Sequence, residues 1–187
     1  MTHHFLIASS LVALGILMGC DQTSSVSPSS GSIPRPAAAA GPVPWRESYQ
    51  ASGTIAPDAR CPAPQLLTTL EGGGTATHVG KYTIVNSHCV DPNTGALTAG
   101  SFTKTAANGD QLFGTYVGNS SVIQPPAPVG IFAVTGTLTY TGGTGRFAGI
   151  TGTATMEGTL TADFSQQPVP ATSTLIMVGE ISSPGQN

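Results

Sequence analysis

TGTLTYTGGTGRFAGITGTAT, residues 135–155, is the stretch that decides the fold. Its glycine-rich centre, Gly142 to Gly152, has the look of a loop that cradles phosphate. A Walker loop needs Lys followed by Ser or Thr, then a helix whose N-terminus faces the phosphates. A dinucleotide loop likewise opens a helix inside a strand-helix-strand unit. Here there is no lysine, and Gly149 leads into ITGTATMEGTLTADF (150–164), which alternates with period two. The stretch therefore reads as two strands joined by a hairpin loop, and nucleotide binding is excluded.

The same alternation extends outward on both sides. Val134, Gly136, Leu138 and Tyr140 alternate with Thr135, Thr137, Thr139 and Thr141. Gly152, Ala154, Met156, Gly158 and Leu160 alternate with Thr151, Thr153, Thr155, Glu157 and Thr159. One face is apolar and the other is threonine, the pattern of a half-buried strand. A proline inside a sheet forfeits a ladder hydrogen bond, so proline clusters mark the breaks. They fall at 57–64, 92, 125–128, 168–170 and 184. The proline-free windows predict eight strands, at 46–55, 65–78, 80–90, 97–106, 111–122, 130–141, 150–163 and 172–182. Asn108-Gly109-Asp110 and Asp91-Pro92-Asn93-Thr94-Gly95 carry strong turn chemistry between strands. No window sustains a 3.6-residue period, so no long helix is expected.

Composition agrees with an all-β chain. Only 8% of the 187 residues are charged, against roughly 25% in ordinary domains. Glycine (24 residues) and threonine (25) stand in their place and favour short strands with tight turns. The net charge of -3, with six scattered basic residues, offers no footprint for nucleic acid.

The N-terminal segment has a different character. Phe5 to Met18 is an apolar run of 14 residues, preceded by MTHH without Lys or Arg. A spanning helix needs about 20 such residues, so the run suits the apolar region of an export signal. It ends in Leu17-Met18-Gly19-Cys20, which resembles the lipobox of bacterial lipoproteins. That resemblance implies removal of residues 1–19, lipidation of Cys20, and a lipid anchor in the bacterial envelope on the periplasmic or surface side. The alternative is an ordinary signal with an incidental cysteine. Residues 20–44, rich in Ser, Pro, Ala and Gly, bury too little apolar surface to fold and read as a flexible tether. The folded domain is expected over 45–187. With Cys20 consumed by lipidation, Cys61 and Cys89 remain as an even pair in an exported chain and point to a disulfide. Two free buried thiols are the alternative.

GTATHVGKYT (74–83), TAANGDQLFGTYVG (105–118) and the opening stretch at 135–155 together resemble secreted bacterial proteins with an allene oxide cyclase-like barrel. Plant dirigent proteins are more distant relatives of that shape. The resemblance covers about residues 49–180. It implies an eight-stranded antiparallel up-and-down β-barrel, with a homotrimer as the assembly its plant relatives often adopt. An interior of this size is either filled by side chains or holds one small ligand. Glycines at 136, 152 and 158 on the apolar face fit both cases. The plant proteins steer a reactive intermediate with acidic, tyrosine or arginine side chains. No local motif around those residues matches here.

Candidate chemistry is sparse. His78 and His88 flank Val79-Gly80 in predicted strands, and Cys89 beside His88 points to the opposite face, so no metal site is assembled. No cofactor is expected. Glu71, Glu157, Tyr82, Tyr116, Tyr140 and Arg146 are the remaining polar or aromatic candidates. Glu157 lies on the threonine face, and Arg146 at the hairpin tip suits loop carbonyls. Tyr140 shares the apolar face with Leu138 and is the one candidate for lining a cavity. The leading expectation is a membrane-tethered, non-catalytic barrel that binds a small apolar ligand or a protein partner. The alternative is a cyclase-like or dirigent-like enzyme, which requires at least two charged or tyrosine side chains converging inside the barrel. A lipid-embedded barrel fits poorly, since aromatic residues are only 6% of the chain and form no girdles.

Overall fold

The computed structural model describes residues 41–184. The signal peptide (1–19), lipidated Cys20 and most of the tether (20–44) expected from the sequence lie outside the described residues. Eight strands follow in chain order: β1 (Val43–Ala56), β2 (Leu66–Ala76), β3 (Gly80–Val90), β4 (Ala96–Ala106), β5 (Gln111–Gln124), β6 (Val129–Gly143), β7 (Gly152–Asp163) and β8 (Val169–Ile181). Each pairs antiparallel with the next, and β8 returns to β1 to close the barrel. Closure leaves no sheet edge, which matters for a chain with so many threonine-rich strands.

The alternation read from 135–155 sets the wall. Val134, Leu138, Tyr140, Ala154 and Met156 are buried inside, while the interleaved threonines 135, 139, 153, 155 and 159 are exposed. The glycines of that face relieve crowding rather than leave a pocket. A Cβ on Gly136 would lie 2.6 Å from Met156 Cε, and one on Gly114 would lie 2.3 Å from the Phe102 ring. Small positions thus make room for large side chains paired with them on the adjacent strand.

Several boundaries differ from the sequence expectation by up to three residues, and three of them have a clear physical reason. β1 begins at Val43, before Pro44, and β8 begins at Val169, before Pro170. Both prolines sit at barrel rims where one neighbouring ladder has not yet begun. β1 meets β2 only from Glu47, and β8 meets β7 only from Ala171. His78 is not in a strand but in the β2–β3 turn, exposed, with φ +65°. In β4 the period of two itself breaks, because Ala99 (φ +51°) is an extra residue and the pairing shifts between Leu97 and Gly100. Leu97 and Phe102 both face inward only because of this bulge.

The two ends differ. One end carries the hairpins β2–β3, β4–β5 and β6–β7 together with the start of β1 and the end of β8. There the GGTGRFAG loop makes a short 3₁₀ turn, Gly145–Phe147, and drops Phe147 into the core with no exposed surface. Trp45, Leu112, Ile150 and Ile181 surround it, each at most 2% exposed, and plug the barrel. The Arg146 guanidinium donates to the Val79 carbonyl at 3.2 Å and lies 3.8 Å from the Asp110 carboxylate, fastening three hairpins together. At the other end the Cys61–Cys89 disulfide, sequence separation 28, ties the β1–β2 loop to the outer face of β3.

Candidate functional site

Inside the barrel, polar side chains form two belts. The belt next to the plug centres on Glu47 of β1. Its Oε2 accepts from Trp45 Nε1 at 3.0 Å, from Lys104 Nζ at 2.5 Å and from the Tyr140 hydroxyl at 3.1 Å. Its Oε1 accepts from the Tyr82 hydroxyl. The Lys104 and Glu47 side chains are wholly buried. The ammonium also donates to Tyr140 at 3.2 Å and stands 4.4 Å from the centre of the Phe102 ring and 4.9 Å from that of Tyr140. Burial pushes the Lys104 ammonium down from its ordinary value, and Glu47 opposes that shift. Burial, reinforced by the Glu47 charge, drives the Tyr82 and Tyr140 hydroxyls well above the usual phenol range, so both remain donors. Four donors on one carboxylate satisfy the buried charge, as an uncompensated ion in such a place would be very costly. The cluster is packed: Glu47, Lys104 and Tyr140 are at most 4% exposed and Tyr82 is 5% exposed, and none of the four lines the chamber or the mouth pocket nearer the open end.

The second belt lies nearer the open end. His88 of β3 shares 2.8 Å between its Nδ1 and the Tyr116 hydroxyl, and the two rings meet edge to face. Tyr116 donates to Asn86 Oδ1 at 3.4 Å, and Asn86 Nδ2 donates to Tyr49 at 3.4 Å. Burial pushes the His88 imidazole down to about 4, so it is neutral near pH 7. Burial likewise raises Tyr49 and Tyr116, with the Glu47 charge adding at Tyr49. A small chamber of about 30 Å³ opens among Tyr49, Asn86, Tyr116 and Ser173, with Leu70, Val134, Met156 and Leu175 completing its walls.

Above this belt the barrel opens into a pocket of about 530 Å³. Ile55, Leu66, Val90, Leu97, Phe132 and Leu160 form its apolar walls, with Phe164 at the rim. His88 and Thr68, directly paired across β2 and β3, supply polar groups to the lining. Thr68 has no exposed surface, and its hydroxyl meets no hydrogen-bond partner. The Ser173 hydroxyl faces the deeper chamber beside the Tyr49 hydroxyl.

The chain matches no protein-family model, no curated protein and no solved structure. Its chemistry follows from its own residues.

The residues singled out in the sequence fall into distinct places. Tyr140 points into the barrel as expected, but it stands in the filled belt at 1% exposure rather than on the pocket wall. Tyr82 joins it there, while Tyr116 and His88 belong to the second belt. Cys61 and Cys89 are bonded to each other, with their Cα atoms 5.6 Å apart. His88 and Cys89 point to opposite faces, so the imidazole is inside and the disulfide outside. Among the described residues, no group of His, Cys, Asp and Glu could hold a metal ion. Glu71 and Glu157 are exposed, and Arg146 belongs to the plug. Glu47, Lys104 and Thr68 were not anticipated. The signal was present, since Trp45, Glu47, Tyr49 and Ala51 share one strand parity, as do Phe102, Lys104 and Ala106.

Proposed function

We propose that this chain is an envelope lipoprotein, anchored through Cys20, whose barrel takes up a small apolar molecule at its mouth. The observation that carries the binding half is the pocket: about 530 Å³, with apolar walls, Thr68 and His88 at its inner end, and Asp91, Asn93, Thr94, Asn119, Ser120 and Ser121 in the rest of its lining. Ligand sites have this build, concave and mostly apolar with a few placed polar groups. The anchor half rests on the Leu17-Met18-Gly19-Cys20 run and the proline- and serine-rich stretch after it. The Cys61–Cys89 bond is compatible with an oxidising compartment. β1 begins at the plugged end, so the chain joins the barrel opposite the mouth.

Binding is tested by titrating the barrel with a neutral naphthylamine dye. Saturable fluorescence gain, lost when a bulky Trp replaces Leu160, is the expected result, and no gain would refute the pocket as a site. Anchoring is tested by labelling with an alkyne fatty acid, where Cys20→Ala is expected to lose both the label and the membrane fraction.

One observation favours the second reading, a cyclase-like or dirigent-like enzyme. Glu47, Lys104, Tyr82 and Tyr140 converge inside the barrel, the kind of constellation that reading requires. Against it, the four side chains and Trp45 are buried and hydrogen-bonded to one another, and none of them lines the mouth pocket. Turnover by an epoxide-bearing fatty acid, abolished in Glu47→Gln while binding persists, would establish it over the first.

A further inference from the structure

The pocket has a polar end of unusual composition, and that end restricts what the mouth can hold. Thr68 is wholly buried with an unpartnered hydroxyl, a group that ordinarily finds a hydrogen bond in a folded protein. Beside it His88 uses only one ring nitrogen, Nδ1, on Tyr116. Among the described residues its Nε2 has no hydrogen-bond partner. The two residues are cross-strand neighbours and both line the pocket. An apolar occupant without a polar group would leave both unsatisfied.

The charge of the missing partner follows from what surrounds it. No lysine or arginine lines the pocket or the chamber beneath it. The nearest buried cation, Lys104, is committed to Glu47. An anionic head would therefore be desolvated with no counter-charge, at high cost. A cationic head fares no better at that end, because Asp91, the one carboxylate in the lining, stands at the start of the β3–β4 turn, outside the strands that carry Thr68 and His88, with its Oδ1 accepting from the backbone N–H groups of Asn93 and Thr94. The space at the polar end is also small, with a chamber of only about 30 Å³ beyond His88.

We propose that the mouth selects neutral, single-headed amphiphiles, specifically alcohols. Their hydroxyl sits between Thr68 Oγ1 and His88 Nε2 and their hydrocarbon lies against Leu66, Val90, Phe132 and Leu160. A hydroxyl both donates and accepts, so it pairs with either tautomer of His88 while also meeting the Thr68 hydroxyl. This rests on the reading of the mouth as a ligand pocket and adds the head group to it.

The test uses residues 38–187, which form one compact unit containing all eight strands and the complete core. Four probes of one chain length, octanol, chlorooctane, octanoate and octylammonium, are titrated at pH 7 by displacement of a neutral dye. Octanol is expected to bind about tenfold tighter than chlorooctane, the worth of one net hydrogen bond, with the two ions weaker than both. Thr68→Val, which keeps the shape and removes the hydroxyl, is expected to bring octanol to within about twofold of chlorooctane and leave chlorooctane unchanged. His88→Phe should act in the same direction and serves if the first variant folds poorly. Equal binding of octanol and chlorooctane, a preference for either ion, or an unaltered ratio in both variants would overturn the head-group assignment while leaving an apolar pocket. Failure of all four probes would instead remove the ligand reading itself.

Discussion

Replacing Lys104 by Met places the largest single stress on this barrel. The Lys104 side chain is wholly buried, and its ammonium lies 2.5 Å from a carboxylate that is also wholly buried. Methionine fills much of the same volume but leaves the Glu47 carboxylate without its counter-charge in the core, with three neutral donors, Trp45, Tyr82 and Tyr140. Removing one partner of a buried pair typically costs about 3–5 kcal/mol. For a domain of this size each kcal/mol shifts the melting temperature by roughly 2–4 °C, so the loss should be about 6–20 °C. Glu47→Gln should cost a similar amount, since it leaves the buried ammonium with a neutral acceptor and no counter-charge. The double variant Glu47→Gln/Lys104→Met removes both charges and keeps a neutral acceptor for the same donors. It should lie within about 2 kcal/mol of the parent, because a buried pair replaced as a unit is often nearly neutral. Urea unfolding followed by Trp45 fluorescence reads this directly, as Trp45 is the only tryptophan and donates to Glu47. The reasoning is refuted if Lys104→Met costs less than about 1 kcal/mol, or if the double variant loses the sum of the two singles.

Three further outcomes are expected. Replacing Cys61 and Cys89 together by Ala should cost about 3–4 kcal/mol by the loop-closure estimate, and an unchanged urea midpoint would contradict it. His88 is held neutral, with a folded value near 4 against roughly 6.5 unfolded, so the unfolded chain binds more protons between these values. Its contribution is fully present above about pH 6.5 and is lost as pH falls toward 4, amounting to roughly 3 kcal/mol. His88→Phe should flatten stability in that window relative to the parent, and parallel curves would count against the burial argument. Thr68→Val should raise the stability of the ligand-free barrel by about 1 kcal/mol, since it removes an unpartnered buried hydroxyl, and a loss of stability would show that the hydroxyl has a partner.

The wall of this barrel was legible in the sequence because one simple signal runs through most of it. Threonine against apolar residues at 134–141 and 151–160 gives strand, face and inward direction together, and the structure keeps all three. Prolines located the breaks but misplaced two strand starts, because Pro44 and Pro170 sit where a neighbouring ladder is absent. GGTGRFAG was correctly a hairpin connection, yet its use as a plug was hidden. Nothing local says that Phe147 turns inward, as that depends on three hairpins meeting at one end. The interior polar belts were hidden for a different reason. Glu47 and Lys104 are 57 residues apart and meet only when the barrel closes. Strand parity alone places each on the inner face, but a buried charge is credible only once its partner is known. For Lys104 the parity argument also had to survive the Ala99 bulge. Tyr140 faced the interior as its alternation demanded, while whether that interior was open or filled depended on packing across the barrel.

The most direct test of the binding account is native mass spectrometry of residues 38–187 purified gently from an exporting host. The account predicts a fraction carrying one added small mass, neutral and apolar with a hydroxyl, which Thr68→Val reduces. A bare polypeptide mass two hydrogens light for the disulfide, with no mass gained after incubation with octanol or chlorooctane, would contradict it.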